Sequence, residues 1–138
     1  MPALLANIDV DDLERAVAFY GAALGLRPGR RFGDDAVELV GASATLFLLA
    51  KPAGSAPFPD APAVRSYARH WTPVHLDFTV DDIASAVDAA RAAGAVLEGG
   101  IERYPSGRQA CLADPFGHGF CLIELSPRGY DAGLGAGG

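Results

Sequence analysis

The chain is poor in the residues that staple, span or carry a strong field. Only two cysteines, Cys111 and Cys121, occur in 138 residues, and they form no C-x-x-C. Two thiols exclude a disulfide-dense secreted scaffold and agree with a reducing compartment. No apolar run approaches the roughly 20 residues that cross a bilayer, so no membrane association is expected. The start, Met1-Pro2-Ala3-Leu4-Leu5, lacks the basic region and small-residue cleavage site of a signal peptide, and a cytoplasmic location is expected. Basic residues are few and scattered apart from Arg27 and Arg30-Arg31, with a net charge of -6. That balance excludes a stripe for phosphate backbones, and nucleic acid is not expected as a partner.

What is present is ordinary globular material, 50% apolar and 20% charged, in a length that fits one compact domain. It is also written twice. Val10-Asp11-Asp12-Leu13 leads into Ala16-Val17 and Ala22-Ala23; about 70 residues later Val80-Asp81-Asp82-Ile83 leads into Ala86-Val87 and Ala92-Ala93. Before each acidic pair lies a short alternating run, Leu5 to Val10 and His75 to Val80. At this offset His75 falls opposite Leu5, so the copies share an architecture without sharing chemistry.

In the first copy Asp11 reads as an N-cap, with Glu14 three residues on completing a capping box and Leu13, Val17, Tyr20 and Leu24 forming the apolar face. The helix stops near Gly25, ahead of Pro28. Ala36–Val40 and Thr45–Leu49 read as a hairpin, with a short strand over Arg30–Phe32 before it. Residues 51–73, rich in Pro, Ala and Gly, form a connector. Near its end Tyr67, His70 and Trp71 read either as a lid over a cavity or as anchors of a long loop. In the second copy Asp81 caps a helix whose face is Ile83, Val87, Ala90 and Gly94. Three strands follow, Val96–Tyr104, Arg108–Ala113 and Phe120–Leu125, separated by a Pro105-Ser106-Gly107 turn and an Asp114-Pro115-Phe116-Gly117 turn. The glycine-rich end, residues 127–138, reads as a flexible tail.

Two β-α-β-β-β modules, with Asp12-Leu13-Glu14-Arg15-Ala16-Val17-Ala18-Phe19-Tyr20 opening the first helix and Asp114-Pro115-Phe116-Gly117 before the last strand, resemble the vicinal oxygen chelate superfamily. That group includes glyoxalase I, extradiol dioxygenases, fosfomycin-modifying enzymes and bleomycin-binding resistance proteins. The resemblance covers residues 4 to 126 and implies an α+β fold: two tandem βαβββ modules forming a cupped mixed β-sheet with helices on the outside. The modules are about 4–50 and 74–126. It also implies a homodimer, since such proteins often build each cup from modules of two subunits. One scaffold of this kind hosts many chemistries.

Metal-dependent members commonly draw a His from the first strand of each module and a Glu from the last. Here the first-strand positions are Leu5 and His75. The last strand of module one offers no ligating side chain between Leu46 and Leu49, and the Glu position of module two is Cys121. One match of four leaves no metal or other cofactor expected; were a divalent metal bound, His75 with Cys121, and Cys111 across the hairpin, would be its donors. The thiols equally read as small apolar fillers.

Without a metal, alternation gathers a mixed set. His75 and Asp77 share one face of their strand with Thr79, Cys121 shares one with Ile123, and Gln109 joins Cys111. An imidazole, a carboxylate, an amide and two thiols over an apolar floor suit a small-molecule pocket. His75 and Asp77 are the candidate catalytic residues, the carboxylate fixing the tautomer of a general base. His75 reads equally as a satisfied interior histidine, since strand residues two apart stand about 6 to 7 Å apart. Gln109, Cys111, Cys121, Trp71 and Arg108 are the candidate substrate contacts, Arg108 greeting an anion at the rim or merely solvated at a strand end. Alternation turns Glu124 away from Cys121, and His118 sits in a turn. The functions that compete are a lyase-like or isomerase-like enzyme acting on a small carbonyl compound, and a protein that sequesters an antibiotic or metabolite; a metal-dependent lyase or dioxygenase is disfavoured.

Overall fold

A computed structural model describes residues 1–134 and contains two compact units, one of residues 1–68 and one beginning at Arg69. In the first, β1 (Leu5–Val10), α1 (Leu13–Leu24), β2 (Arg27–Phe32), β3 (Ala36–Val40) and β4 (Thr45–Ala50) make a four-stranded mixed sheet in the order β1-β4-β3-β2. In the second, β5 (Leu76–Thr79), α2 (Ile83–Ala93), β6 (Val96–Tyr104), β7 (Gly107–Ala113) and β8 (Gly119–Leu125) repeat it as β5-β8-β7-β6. The fold is α+β, and each βαβββ module makes its own open sheet. The opening strand of each module pairs in parallel with the last, a pairing that needs the long excursion the helix and meander provide.

Both helices begin one residue later than the acidic pairs suggested. Asp12 and Asp82, extended at φ -138° and -136°, are the N-caps and accept from Arg15 N and Ser85 N. The shift puts Leu13 and Ile83 at the first helical position, where both side chains are buried. Glu14 then lies too early to close a capping box and pairs instead with Arg31. The buried face of α1 is Leu13, Ala16, Phe19, Tyr20 and Ala23, not the stripe through Val17 and Leu24, which stay only half-buried. Gly25 ends α1 at φ 70°, a left-handed conformation that glycine adopts without penalty.

The connector divides between the units. Residues 51–68 fold on the first, where Arg65 pairs with Asp9 at 2.7 Å and the Tyr67 hydroxyl donates to Lys51 O. Residues 69–73 belong to the second, where His70 N donates to Gly117 O and the segment forms a bridge to His118. Tyr67 and His70 are therefore anchors of the loop. Gly129–Leu134 forms a short 3-10 helix where the composition suggested a flexible tail; residues 135–138 of that tail lie outside the described residues. Among the described residues no helix is long and apolar enough to cross a membrane.

Candidate functional site

The sheet of the second unit has two unlike faces. Towards α2 it buries Ala110, Leu112, Phe120 and Leu122. At the end of this side Glu124 accepts from Ile83 N at 2.9 Å, satisfying an amide that the first turn of the helix leaves open. Burial of that apolar row fixes the register, and a register with period two forces the neighbours onto the other face. Asp77 lies opposite Cys121, Cys111 opposite Cys121 and Gln109 opposite Ile123, so Asp77, Gln109, Cys111 and Cys121 share the face turned from α2.

His75 joins them from just before β5. Its Nε2 lies 3.2 Å from Asp77 Oδ1, well inside the spacing of a regular strand, because His75 precedes the hydrogen-bonded ladder and is not held to its pleat. Both side chains remain partly exposed, 30% and 43%. A carboxylate at Nε2 favours the proton there and leaves Nδ1 as the basic nitrogen. Beside them, Cys121 is fully buried. Its Sγ lies 3.4 Å from Cys111 Sγ and accepts a long 3.7 Å contact from Gln109 Nε2. Burial, then the Cys111 contact and the Asp77 carboxylate, push this thiol up to about 12, so it is protonated at neutral pH.

Trp71 closes one end of the cluster. Its ring sits 4.6 Å from the imidazole of His75 at 40°, and the residue is 48% exposed. The guanidinium of Arg69 lies 5.5 Å from the indole centroid and is held by a salt bridge to Glu98, which in turn sits opposite Cys111. This pairing holds the Glu98 carboxyl below its usual range. Gly119 completes the arrangement, since a Cβ there would enter the Trp71 ring.

Of the residues singled out from sequence, the structure brings together His75, Asp77, Gln109, Cys111, Cys121 and Trp71. It does not bring Arg108 to them. Arg108 lies on the α2 side and pairs with Glu124 at 2.9 Å, because the strand alternation that aims Gln109 one way aims its neighbour the other. His118 is backbone-bonded, its N donating to Asp114 Oδ1, with its ring 3.2 Å from His70 Nε2. Arg69, Glu98 and Gly119 were not legible beforehand: the first sits in an aperiodic connector, and the role of the last is visible only through the ring packed on it.

The donor set does not fit the metal that the fold family implies. Among the described residues one group of potential ligands comes together, His75, Asp77 and Cys121, with ligand atoms within 4.8 Å of one another. Only His75 matches the two-His, two-Glu pattern. Leu5 and Phe47 occupy the positions in the first sheet that His75 and Cys121 occupy in the second, and the Glu position of the second is a thiol.

The family model for a glyoxalase-like domain matches residues 6–123, and the chain belongs to this family, within the vicinal oxygen chelate superfamily. It is 34% identical over 118 residues to the anthracycline biosynthesis protein DauV of Streptomyces sp. (strain C5), a match covering 83% of this chain and 38% of that protein. The chain spans about two fifths of the length of the curated relatives it matches. Among solved structures, a glyoxalase/bleomycin resistance protein/dioxygenase family enzyme from Burkholderia phytofirmans PsJN superposes with a TM-score of 0.67 at 20% identity, covering 88% of this chain and 97% of that one. TnmS3, an antibiotic binding protein from Streptomyces sp. CB03234, superposes with a TM-score of 0.63 at 24% identity, covering 91% and 97%. Both share the fold.

Proposed function

We propose that the protein binds a flat, carbonyl-bearing aromatic small molecule at Trp71, His75 and Asp77 on the side of its second sheet turned from α2, without the metal its superfamily commonly uses. The observation that carries this reading is the half-exposed indole of Trp71 beside the His75–Asp77 pair. An aromatic surface supplies stacking area, and an imidazole with a fixed tautomer supplies one directional polar contact. DauV and TnmS3 support the ligand class, the one by its place in anthracycline biosynthesis and the other by binding an antibiotic. Sequestration is favoured over turnover, because Cys121 is fully buried and presents no thiol to a bound ligand.

Trp71 is the chain's single tryptophan, so its fluorescence reports directly on the site. Titration with an anthracycline is expected to quench that emission saturably and to leave the compound unchanged by chromatography. Emission that stays unaltered across a panel of polycyclic quinones would overturn the ligand class. Conversion of the compound, abolished in His75→Ala, would replace sequestration by catalysis with His75 as base.

A further inference from the structure

We propose that Cys111 and Cys121 form a redox-active pair, a site of reversible modification that closes to a cross-strand disulfide when a low-molecular-weight disulfide such as oxidised glutathione is present. The two residues are direct partners on antiparallel β7 and β8, with sulfurs 3.4 Å apart. Directly opposed residues on such strands have Cα atoms about 4.5 to 5.5 Å apart, inside the range a disulfide spans, and bonding at about 2.05 Å asks each sulfur to move by well under an ångström.

The two thiols differ in a way that assigns their roles. Cys111 is partly exposed and Cys121 is fully buried. A soluble disulfide RSSR therefore meets Cys111 first: the Cys111 thiolate attacks one sulfur, the S–S bond of RSSR breaks, and RS⁻ leaves and takes up a proton as RSH. Cys121 then attacks the Cys111 sulfur, its own proton passing to the departing RS⁻ as the second RSH. In sum two protein thiols are oxidised and one RSSR is reduced to two RSH, with both protons on the released thiols.

Closure changes the neighbours. The Cys121 thiol no longer offers a proton towards Asp77, and its sulfur turns from Gln109. The binding face is thereby altered from beneath, without occupation of the ligand's own position.

The test treats the full chain with oxidised glutathione and follows intact mass, thiol titration under denaturing conditions and a non-reducing peptide map. The expected result is loss of both titratable thiols, a mass lower by two hydrogens, one peptide joining Cys111 to Cys121, and full reversal by dithiothreitol. Cys121→Ser is expected to stop at a stable glutathione adduct on Cys111, and Cys111→Ser to remain unmodified. Circular dichroism checks that each variant is folded, and the wild-type peptide map decides alone if one is not. Two thiols that stay titratable, a wild-type adduct that persists on Cys111, or disulfides that join two chains would each overturn the pair.

Discussion

In the first unit β1 runs beside β4 with Asn7 opposite Phe47, and β3 places Glu38 against the same phenylalanine. In the second, β5 runs beside β8 with Asp77 opposite Cys121, and β7 places Cys111 against that cysteine. The ladders correspond pair for pair, yet Leu5, Asn7, Phe47 and Glu38 stand where His75, Asp77, Cys121 and Cys111 stand. The one carboxylate of the first set is already spoken for: Glu38 is buried to 9% exposure and clasped by Arg30 at 2.6 Å, which holds its carboxyl below the usual range. The lesson is that burial on the helix side conserves a scaffold while the other face is left to vary. A duplicated module can keep its packing and concentrate its chemistry in one copy.

If the halves are truly equivalent as scaffolds, matched core truncations must hurt both alike. Leu48 and Leu122 are fully buried at corresponding positions of β4 and β8. Leu48→Ala and Leu122→Ala are each expected to lose about 2–5 kcal/mol in urea unfolding. A variant within about 0.5 kcal/mol of the parent would show that one sheet is not held by its helix-side row.

Ligand binding should break the symmetry. His75→Ala is expected to weaken binding of an aromatic ligand at least about tenfold, some 1.4 kcal/mol, while Leu5→Ala leaves it unchanged. Equal effects in calorimetry would return the first unit to the site. A smaller contrast concerns alkali. Cys121 keeps its proton when folded up to about 12, whereas an unfolded thiol loses it near its ordinary value. Above that ordinary value the unfolded state binds fewer protons, so stability falls as pH rises towards 12. Cys121→Ala should flatten this decline, measured by urea midpoints across the alkaline range, and an unchanged slope would reject the protonated thiol.

The smallest expected effect lies in acid and involves both units. Glu38, Glu98 and Glu124 all have carboxyls held below the usual range by an arginine partner. The unfolded chain takes up protons first as pH drops through the ordinary carboxylate range, so their stabilising contribution is present above it and fades below. Glu38→Gln and Glu124→Gln should each soften acid unfolding slightly, one from each half, since exposed partners are screened.

Much of this was readable beforehand. The duplication gave the module order, and alternation from His75 and Cys121 gathered Asp77, Gln109 and Cys111 correctly, because a period of two is rigid once one face is buried. The helix starts were misjudged by one residue because adjacent aspartates are equally good caps; only the demand that Leu13 and Ile83 enter the core separates them. Arg108 was aimed the wrong way because its place at a strand end was read before its parity with Gln109. The His75–Asp77 pair is legible as a candidate, but strand spacing leaves its direct contact open, since that depends on where the ladder of β5 begins.

Gly119 sets the outline of the site by what it lacks. The indole of Trp71 rests where any β-carbon at that position would stand. A single codon change from glycine to alanine would therefore evict the aromatic surface while altering no residue of the His75–Asp77 pair. The outline of the face beside His75 and Asp77 thus hangs on a position that carries no side chain of its own.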